Sequence, residues 1–372
     1  MKNKKKLRIY LFGENNGVGE YRVYKPARFI KELGLAEVRT NDFRWGQEDD
    51  KIKNPTMEEL TDIGHWADII VFQRQDLAQT IATFCGMGEL FNVPVVLDTD
   101  DNIESVRPYN PGYRGYHPKS EALTWGKLVP KKVYAITVTT QNLKELHAKD
   151  CENVFILPNS LDIKRRTSFP RKAHPGKIHM GWLGSAAHYE NLKIIEKPVI
   201  EILKKHKNVI FHCMSMYGNS LWGDVPPEIK KRIKKIPWSP LKEWPKTLRG
   251  LSLDIGLAPG ADNLFNRAKS NLRYLEYTAA GATTIASPVL AYSCIEHGKT
   301  GFHATESWEW VEMMDKLIGD EKLRQKLQAN AFKDLSKNYD IRKNAKKWVE
   351  TYQQIVDKYR KERGSKQFYY PS

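Results

Sequence analysis

Cysteine is scarce in this chain of 372 residues, which contains only four, widely separated at positions 85, 151, 213 and 294. They form neither a C-x-x-C pair nor a dense framework, so neither a structural zinc site nor a disulfide-stapled secreted fold is indicated. We therefore predict a protein of the reducing cytoplasm that has neither a structural zinc site nor disulfide bonds.

Long apolar runs are also missing. No stretch approaches the roughly 18 apolar residues that a membrane-spanning helix requires. The basic start of the chain is followed by about six apolar residues interrupted by Arg8, which is too short for a secretory signal. We predict a soluble chain that begins with a β-strand and for which only peripheral contact with a membrane remains open.

Negative charge is in deficit, because 60 lysines and arginines face 44 acidic residues and the net charge is +16. The excess is unevenly placed. Residues 1–30 and 107–172 are strongly basic, residues 31–106 are acidic, and the densest basic run is KKRIKK at 230–235. Segregated charge of this kind indicates an anionic partner that docks on a basic side of the N-terminal domain.

Short apolar runs alternate with amphipathic segments, which is the pattern of parallel sheets covered by helices. Six such runs lie between residues 7 and 158, and five more lie between residues 178 and 304. A polar stretch punctuated by prolines separates the two sets, and the chain is helical from about residue 306 onward. We predict an α/β fold with an N-terminal domain at 1–165, a second domain at 173–340 and a C-terminal helix at 341–372.

The loop after the first predicted strand is rich in glycine. Gly13, Gly17 and Gly19 are placed so that backbone amides can approach a ligand closely. The spacing is not G-x-G-x-x-G, and no acidic residue follows at the offset of a dinucleotide fingerprint. We interpret Gly17 and Gly19 as ligand-binding, with a flexible connecting loop as the alternative.

A second loop, GWLGSAAHYE, has Gly184 and Ser185 leading into a helix predicted from about His188 to Lys205. Backbone N–H groups at a helix start favour an anion. A serine at this position is most often only a cap, so phosphate binding and capping both remain open.

A third segment, NRAKSNLRYLEYTAAG at residues 266–281, is predicted to form one helix capped by Asn266. At 3.6 residues per turn, Lys269, Arg273 and Glu276 share one face, and an apolar stripe lies beside them. Two cations near a helix start indicate an anion site, and a solvated face on which Arg273 simply bridges Glu276 is the alternative.

These segments, together with YRVYKPARFI, ADIIVFQR and VVLDTDDNIESV, resemble the retaining glycosyltransferases of family 4, as an outlying branch. The resemblance spans about residues 7–360 and is most specific over 254–290. It implies a GT-B fold, which has two Rossmann-like domains facing across a cleft. It also implies a nucleotide-sugar donor held by the C-terminal domain, an acceptor held by the N-terminal domain, and a last helix that crosses back onto the first domain.

The resemblance also assigns a role to Glu276. This residue matches the second glutamate of the family's E-x7-E motif, which binds the ribose hydroxyls of the donor, and a carboxylate can accept two hydrogen bonds from a vicinal diol. The first glutamate of the motif would fall at Ala268. One usual contact to the donor sugar is therefore missing, which leaves the identity of the sugar open.

The family's phosphate-binding arginine is not matched cleanly, since Trp182 and Leu183 occupy its region. We assign its work to Lys269, with Arg273 or Arg267 assisting. Further candidates for donor contacts are Ser270, His188, Glu296 and Trp238, the last by stacking on the base or, alternatively, as a packing residue.

Asp98 and Asp100 form a D-x-D pattern at the end of a predicted strand, next to Asp101. We interpret the three as cleft-facing carboxylates that bond sugar hydroxyls or orient the acceptor. Metal binding and a plain turn are the alternatives.

The predicted reaction moves a sugar from a UDP- or GDP-sugar to a hydroxyl. The resemblance implies that configuration is retained and that neither a metal nor another cofactor takes part, with the nucleotide sugar as co-substrate. Asp98, Asp100, Lys269 and Glu276 are the predicted catalytic residues, and the acceptor is expected on a lipid-linked phosphate, teichoic acid or modified DNA. A GT-B sugar-nucleotide epimerase and a basic nucleic-acid-binding protein remain as alternatives.

Overall fold

The computed structural model describes residues 5–14, 16–41, 56–74, 78–214 and 225–363. The chain forms two compact units. The first consists of Met1–Glu104, Gly115–Asn159 and Ile341–Ser372, and the second of Ser105–Arg114 and Ser160–Asp340. Each unit is built around a parallel sheet of its own.

The sheet of the first unit has six strands, which are β1 (Arg8–Phe12), β2 (Glu37–Thr40), β3 (Ile69–Gln73), β4 (Val95–Thr99), β5 (Ala135–Val138) and β6 (Val154–Ile156). Their order in the sheet is β2-β1-β3-β4-β5-β6, and every pairing is parallel. The three central strands are buried throughout, because helices cover both faces of a parallel sheet.

The helices of this part of the chain are α1 (Gly17–Gly19), α2 (Lys25–Glu32), α3 (Met57–Trp66), α4 (Ala78–Leu90), α5 (Tyr113–Tyr116), α6 (Glu121–Leu128) and α7 (Gln141–His147). A π-helical turn at Glu20–Tyr24 joins α1 to α2, and single 3-10 turns lie at Ile103–Ser105 and Val129–Lys131. The π-helical turn places Arg22 inside the first unit.

The second sheet has the strands β7 (Ile178–Leu183), β8 (Val209–Met214), β9 (Ile233–Lys235), β10 (Ile255–Ala258), β11 (Thr283–Ala286) and β12 (Phe302–His303). Their order is β12-β11-β10-β7-β8-β9, again with parallel pairings. Strands β7 and β10 are neighbours although a long stretch of chain separates them. The loops at their carboxyl ends are therefore brought to one edge of the sheet.

The helices after the first sheet are α8 (Ile163–Ser168), α9 (Tyr189–Ile194), α10 (Glu196–Lys205), α11 (Pro227–Lys230), α12 (Trp244–Gly250), α13 (Leu264–Ala268), α14 (Leu272–Ala280), α15 (Ser307–Gly319), α16 (Glu321–Asn338) and α17 (Ile341–Arg363). Further 3-10 turns lie at Ala186–His188 and Leu290–Tyr292. Within the described ranges, no helix has both the length and the apolar character needed to cross a membrane.

The last helix, α17, packs into the core of the first unit. Its buried side chains recur every three or four residues and include Trp348, Tyr352 and Val356. They join a cluster with Phe29 and Ile30 of α2. This spacing is that of an amphipathic helix, and it explains why residues 341–363 belong to the first unit although they lie at the other end of the sequence.

The predicted α/β fold with two parallel-sheet domains is confirmed. The second sheet has six strands rather than the predicted five, because β9 lies within the basic run KKRIKK. This edge strand pairs only with β8 and exposes Lys234 and Lys235, so it lacks the apolar pattern that marks the other strands. Residues 105–114 and 160–165 lie in the second unit, whereas the prediction placed them in the first.

Candidate active site

Arg273 of α14 lies against the loop that follows β7. Its guanidinium is 5.4 Å from the centroid of the Trp182 ring. A Cβ built on Gly184 would lie 2.8 Å from Nη2 of Arg273 and equally close to the Trp182 ring. The structure thus brings together the loop after β7 and helix α14, which the sequence analysis treated as separate candidate segments. The guanidinium of Arg273 lies in the region where the resemblance expects a phosphate-binding arginine and the sequence has Trp182.

Glycine at position 184 is needed to leave this guanidinium in place. We expect Gly184→Ala to displace Arg273, since the buried Trp182 ring cannot give way easily, and to raise the KM for the donor about tenfold, equivalent to ~1.4 kcal/mol. The measurement is the donor KM together with the melting temperature. Gly319→Ala is the matched control, because a Cβ there meets open space. An unchanged donor KM in Gly184→Ala would show that Arg273 does not contact the donor.

The segment 266–281 is two helices, α13 and α14, rather than the one helix that was predicted. The cap of α13 is Asn263, whose side chain accepts a hydrogen bond from the N–H of Asn266 at 2.9 Å. Asn266 therefore lies inside a helix and does not cap one. Lys269 ends α13 in an extended conformation, which breaks the predicted stripe before Arg273 and Glu276.

Helix α14 begins after Lys269 and Ser270. Its N-cap residue, Asn271, makes no side-chain hydrogen bond to the helix start and instead donates to Sγ of Cys294 at 3.3 Å. The side chain of Asn271 thus does not cap the first amides of this nine-residue helix, and backbone amides at a helix start favour an anion. Lys269 lies just before them, with Nζ 4.2 Å from the ring centroid of Phe265.

Glu276 is half-buried and held by two donors. Its Oε1 accepts hydrogen bonds from Nη2 of Arg166 and from Nε1 of Trp244, both at 2.9 Å. Arg166 comes from α8 and Trp244 from α12, so three helices converge on this carboxylate. The sequence marked neither residue as a partner of Glu276, because both are distant from it along the chain.

Arg273 makes different contacts from those of Glu276. Besides the Trp182 ring, it forms a side-chain hydrogen bond with Tyr292, while burial raises the pKa of that tyrosine. The alternative in which Arg273 simply bridges Glu276 is therefore not what the structure shows. Arg267 is ion-paired with Asp262 at 2.6 Å on the surface, and Glu296 is paired with Lys299 at 2.7 Å.

The loop after β7 does not lead from Ser185 into one long helix, as was predicted. Ser185 is exposed, and a 3-10 turn, α9 and α10 follow in place of one helix from His188 to Lys205. His188 ends the 3-10 turn and precedes α9. Its Nδ1 lies 3.2 Å from Nδ2 of Asn191.

A chain of polar contacts ties this loop to the loop after β10. Asn191 bonds to Asn266, and Ala261 contacts both of these side chains. Nearby, Glu190 accepts hydrogen bonds from Tyr109 and Asn263. The two loops are thus fixed to each other, which gives the candidate site a preorganised frame.

Trp238 follows β9 at the same carboxyl edge of the second sheet. This residue is 70% exposed, so the alternative interpretation of Trp238 as a packing residue is not supported. Stacking on a base stays a prediction.

In the first unit, Asp98 is not the cleft-facing carboxylate that was predicted. It is fully buried and receives Nε and Nη2 of Arg22 at 2.9 and 2.7 Å and Oγ1 of Thr137 at 2.6 Å. Arg22 also donates to the carbonyl of Leu157 and lies 4.8 Å from the Trp348 ring centroid. Asp98 therefore ties β4 and β5 to the π-helical turn and to α17.

The neighbouring carboxylates lie nearer the surface. Asp101 is paired with Arg74 at 3.7 Å, and Asp100 is half-buried. Within the described residues, no group of three or more histidine, cysteine or acidic side chains is arranged to hold a metal ion.

A small cavity lies beside Asp101 at the carboxyl end of β4. It measures ≈ 20 Å³ and is lined in part by Arg74, Asn102 and His147. Burial lowers the pKa of His147, which favours a neutral ring. The volume suits a water or a single hydroxyl rather than a sugar ring.

The glycine-rich loop of the first unit is packed rather than flexible in its described part. Asn16 caps α1 by accepting from the N–H of Gly19 at 2.9 Å, and α1 also contains Gly17. A Cβ on Gly19 would lie only 1.9 Å from the carbonyl oxygen of Glu14, and one on Gly13 would lie 2.7 Å from Val23. Close packing inside the loop accounts for both of these glycines, and a ligand contact stays a prediction.

The chain matches no protein-family model and no curated protein. Solved structures do match. HepE of Anabaena, solved in complex with UDP, is 14% identical with a TM-score of 0.63, and the match covers 94% of this chain and all of that one. Sucrose-phosphate synthase of Thermosynechococcus elongatus is 11% identical with a TM-score of 0.65, over 95% and 100% of the two chains.

A glycosyltransferase of Rickettsia africae is 13% identical with a TM-score of 0.66, and the match covers 95% of this chain and 99% of the other. Two parallel six-stranded sheets with flanking helices are the architecture of GT-B glycosyltransferases, and this chain has that fold.

Proposed function

We propose that the protein is a retaining glycosyltransferase that moves a sugar from a nucleoside diphosphate sugar to a hydroxyl. We favour a UDP-sugar as the donor, with a GDP-sugar as the alternative. One observation carries the proposal: Arg273 meets Gly184 at the carboxyl edge shared by β7 and β10, and it lies in the first turn of α14, which the side chain of Asn271 does not cap. In open parallel sheets this edge is where ligands bind. The GT-B fold and the UDP complex of HepE support the same ligand class.

In this proposal the diphosphate binds between the loop at Gly184 and the start of α14. Lys269, Arg273 and the amides from Ser270 onward receive its charge. Departure of the diphosphate breaks the bond from the sugar C1 to oxygen and concentrates negative charge on the leaving group. Cations and dipoles fixed in advance stabilise this charge more in the transition state than in the ground state.

The acceptor oxygen then bonds to C1 on the face that the diphosphate leaves, and its proton passes to the leaving phosphate. This step forms one bond to C1, breaks one and transfers one proton, so it needs no enzymic nucleophile. The acceptor bonds to the face that the diphosphate leaves, and configuration is therefore retained. Glu276 binds the ribose hydroxyls, and its orientation is set by Arg166 and Trp244. The donor sugar stays open because Ala268 replaces the first glutamate of the motif.

The test is a thermal-shift screen of nucleotide sugars followed by product analysis. A ligand at 100 times its dissociation constant should stabilise the second unit by about 2.7 kcal/mol. Conversion of the donor sugar with no acceptor present would point to an epimerase instead. Salt-dependent DNA binding without any response to nucleotide sugars would favour a nucleic-acid-binding protein.

Activity is expected to survive EDTA, because Lys269, Arg273 and the amides of α14 take the charge that a metal would otherwise neutralise. The measurement is the transfer rate before and after chelation, with added Mg²⁺ and Mn²⁺ as controls. Complete loss that either metal restores would place Asp100 and Asp101 in a metal site.

The acceptor is proposed to be anionic and to dock on the first unit, in the cytoplasm. Transfer to a phosphate-bearing acceptor is then expected to fall with ionic strength more steeply than transfer to a neutral one, because salt screens attraction to the basic segments 1–30 and 107–172. The measurement is the rate of transfer across a salt series, with donor hydrolysis as the control. Equal salt slopes, or a preference for the neutral acceptor, would contradict the proposal.

A further inference from the structure

Strands β7 and β10 separate before they reach the carboxyl edge of the second sheet. Both strands lie wholly within the described residues. β7 pairs with β8 along all six of its residues, and β10 pairs with β11 along all four. Between themselves, these two strands pair at two positions, Met180 with Ile255 and Gly181 with Gly256. The sheet is therefore split at its switch point, where the strand order reverses and open parallel sheets bind ligands.

The hydroxyl of Tyr277 occupies this split. It accepts a hydrogen bond from the backbone N–H of Leu183 on β7 at 3.0 Å. Its own proton faces two carbonyl oxygens, that of Leu257 on β10 at 3.3 Å and that of Gly181 on β7 at 3.4 Å. A phenolic oxygen can accept and donate at once. The hydroxyl thus stands between the N–H of Leu183 and the carbonyl of Leu257, which a continued parallel ladder would join directly.

The ring of Tyr277 is held in place by its surroundings. The side chain is fully buried, and burial raises the pKa of its hydroxyl, which therefore keeps the proton that it donates. The ring lies over Gly256, where an added Cβ would come within 2.4 Å of it. The glycine thus gives the ring its place against β10, and the hydroxyl reaches the ladder from there.

Helix α14 carries Arg273 one turn before Tyr277, so the two side chains share a face. Gly184 follows Leu183 directly, and a Cβ built on this glycine would lie 2.8 Å from Nη2 of Arg273. Tyr277 therefore bonds the strand end that leads into the Gly184 loop, and it does so from the helix that supplies the cation. One side chain sets the spacing between these two elements.

We propose that Tyr277 is a positioning residue whose hydroxyl keeps β7 and β10 apart at the carboxyl edge, and that this split admits the donor diphosphate beside Gly184 and Arg273. The donor half rests on the proposed function. Without the hydroxyl, Leu183 can bond directly to Leu257, and the sheet closes by one step of the ladder. Donor binding must then reopen it, so the apparent affinity falls with the fraction of molecules that stay split.

The first test needs no ligand. In NMR spectra of the wild-type protein, the buried hydroxyl proton of Tyr277 should be visible and should show an NOE to the amide proton of Leu183. The scalar coupling across a hydrogen bond from the Leu183 nitrogen to the Leu257 carbonyl carbon should be missing, and it should appear in Tyr277→Phe. That coupling in the wild-type spectrum would overturn the proposal, whether or not the variant folds.

The second test measures UDP binding by calorimetry, together with the kinetics of the donor found in the thermal-shift screen. Tyr277→Phe should bind UDP about tenfold more weakly and raise the donor KM by the same factor, while kcat at saturating donor changes by less than about twofold. Tyr274→Phe is the matched control and should leave UDP affinity unchanged. This buried tyrosine lies three residues earlier on α14, and its hydroxyl makes no hydrogen bond to the fully described strands β7 and β10.

The outcomes separate the two halves of the proposal. A purely structural tyrosine would lower the melting temperature of Tyr277→Phe and leave the UDP affinity of the folded variant unchanged, which would overturn the donor half. In the wild-type protein, UDP should shift the signals of Leu183 and Tyr277, and a UDP complex with unchanged signals would also overturn that half. If no nucleoside diphosphate binds while the NOE places the hydroxyl between the strands, the proposed function fails and the split is still supported.

Discussion

Glu276→Ala should lower kcat/KM at limiting donor by roughly 30- to 1,000-fold, equivalent to ~2 to 4 kcal/mol for loss of the charged hydrogen bond that we propose to the donor ribose. Lys269→Ala should fall in the same range because, in the proposed donor site, it removes a cation that binds the diphosphate. The measurement is the initial rate of sugar transfer at donor concentrations well below KM, on variants shown by circular dichroism to be folded.

The controls separate donor binding from structure. Lys316→Ala is matched to Lys269→Ala, because Nζ of Lys316 lies over the Phe302 ring at 5.3 Å but on α15, outside the loops described above. Glu276→Gln keeps an acceptor for Arg166 and Trp244 and should lose less activity than Glu276→Ala. Full activity in folded Glu276→Ala and Lys269→Ala at limiting donor would show that the donor site is assigned wrongly.

Arg22→Ala should destabilise the first unit by about 3 to 5 kcal/mol, because it leaves the Asp98 carboxylate buried without its cation. The measurement is denaturant unfolding followed by a probe in the first unit, such as the fluorescence of Trp348. Arg39→Ala is the matched control. It breaks an ion pair with Asp62 of the same 2.7 Å length, but both side chains are exposed, so the cost should stay below about 1 kcal/mol.

A double variant sharpens this test. Arg22→Met combined with Asp98→Leu removes both charges and should be much less destabilised than Arg22→Ala, since the penalty comes from one uncompensated buried charge. If Arg22→Ala costs no more than Arg39→Ala, the buried pair does not hold the first unit together.

The sheet architecture was predictable because parallel strands that are buried on both faces leave continuous apolar runs, such as IIVFQ in β3 and VVLDT in β4. Strand β9 escaped prediction because one pairing partner is enough to hold a short edge strand, whatever its side chains. The confirmed part of the fold is thus the part that hydrophobic burial dictates.

The local errors have a different cause. Asn263 and Asn266 are both acceptable caps, and only the structure shows that Asn263 is used. Asp98 was expected to face a cleft because it ends a strand, but Arg22, which is 76 residues away in sequence, reaches it through the π-helical turn. Periodicity contains no information about such long-range partners. The same is true of Arg166 and Trp244 at Glu276 and of Ala261 at Asn191 and Asn266.

The placement of α17 affects the order in which the two units can fold during synthesis on the ribosome. Trp348 and Tyr352, which cover the buried Arg22 and Asp98 pair, are synthesised only after the whole second unit has emerged. Until then the first unit has all its strands and its other helices, but the side chains of α17 are missing from its core. The second unit is complete at Asp340 and can already fold. The nascent chain is thus expected to gain protease resistance in its middle before its N-terminal end, which reverses the usual N-to-C order of domain folding during translation.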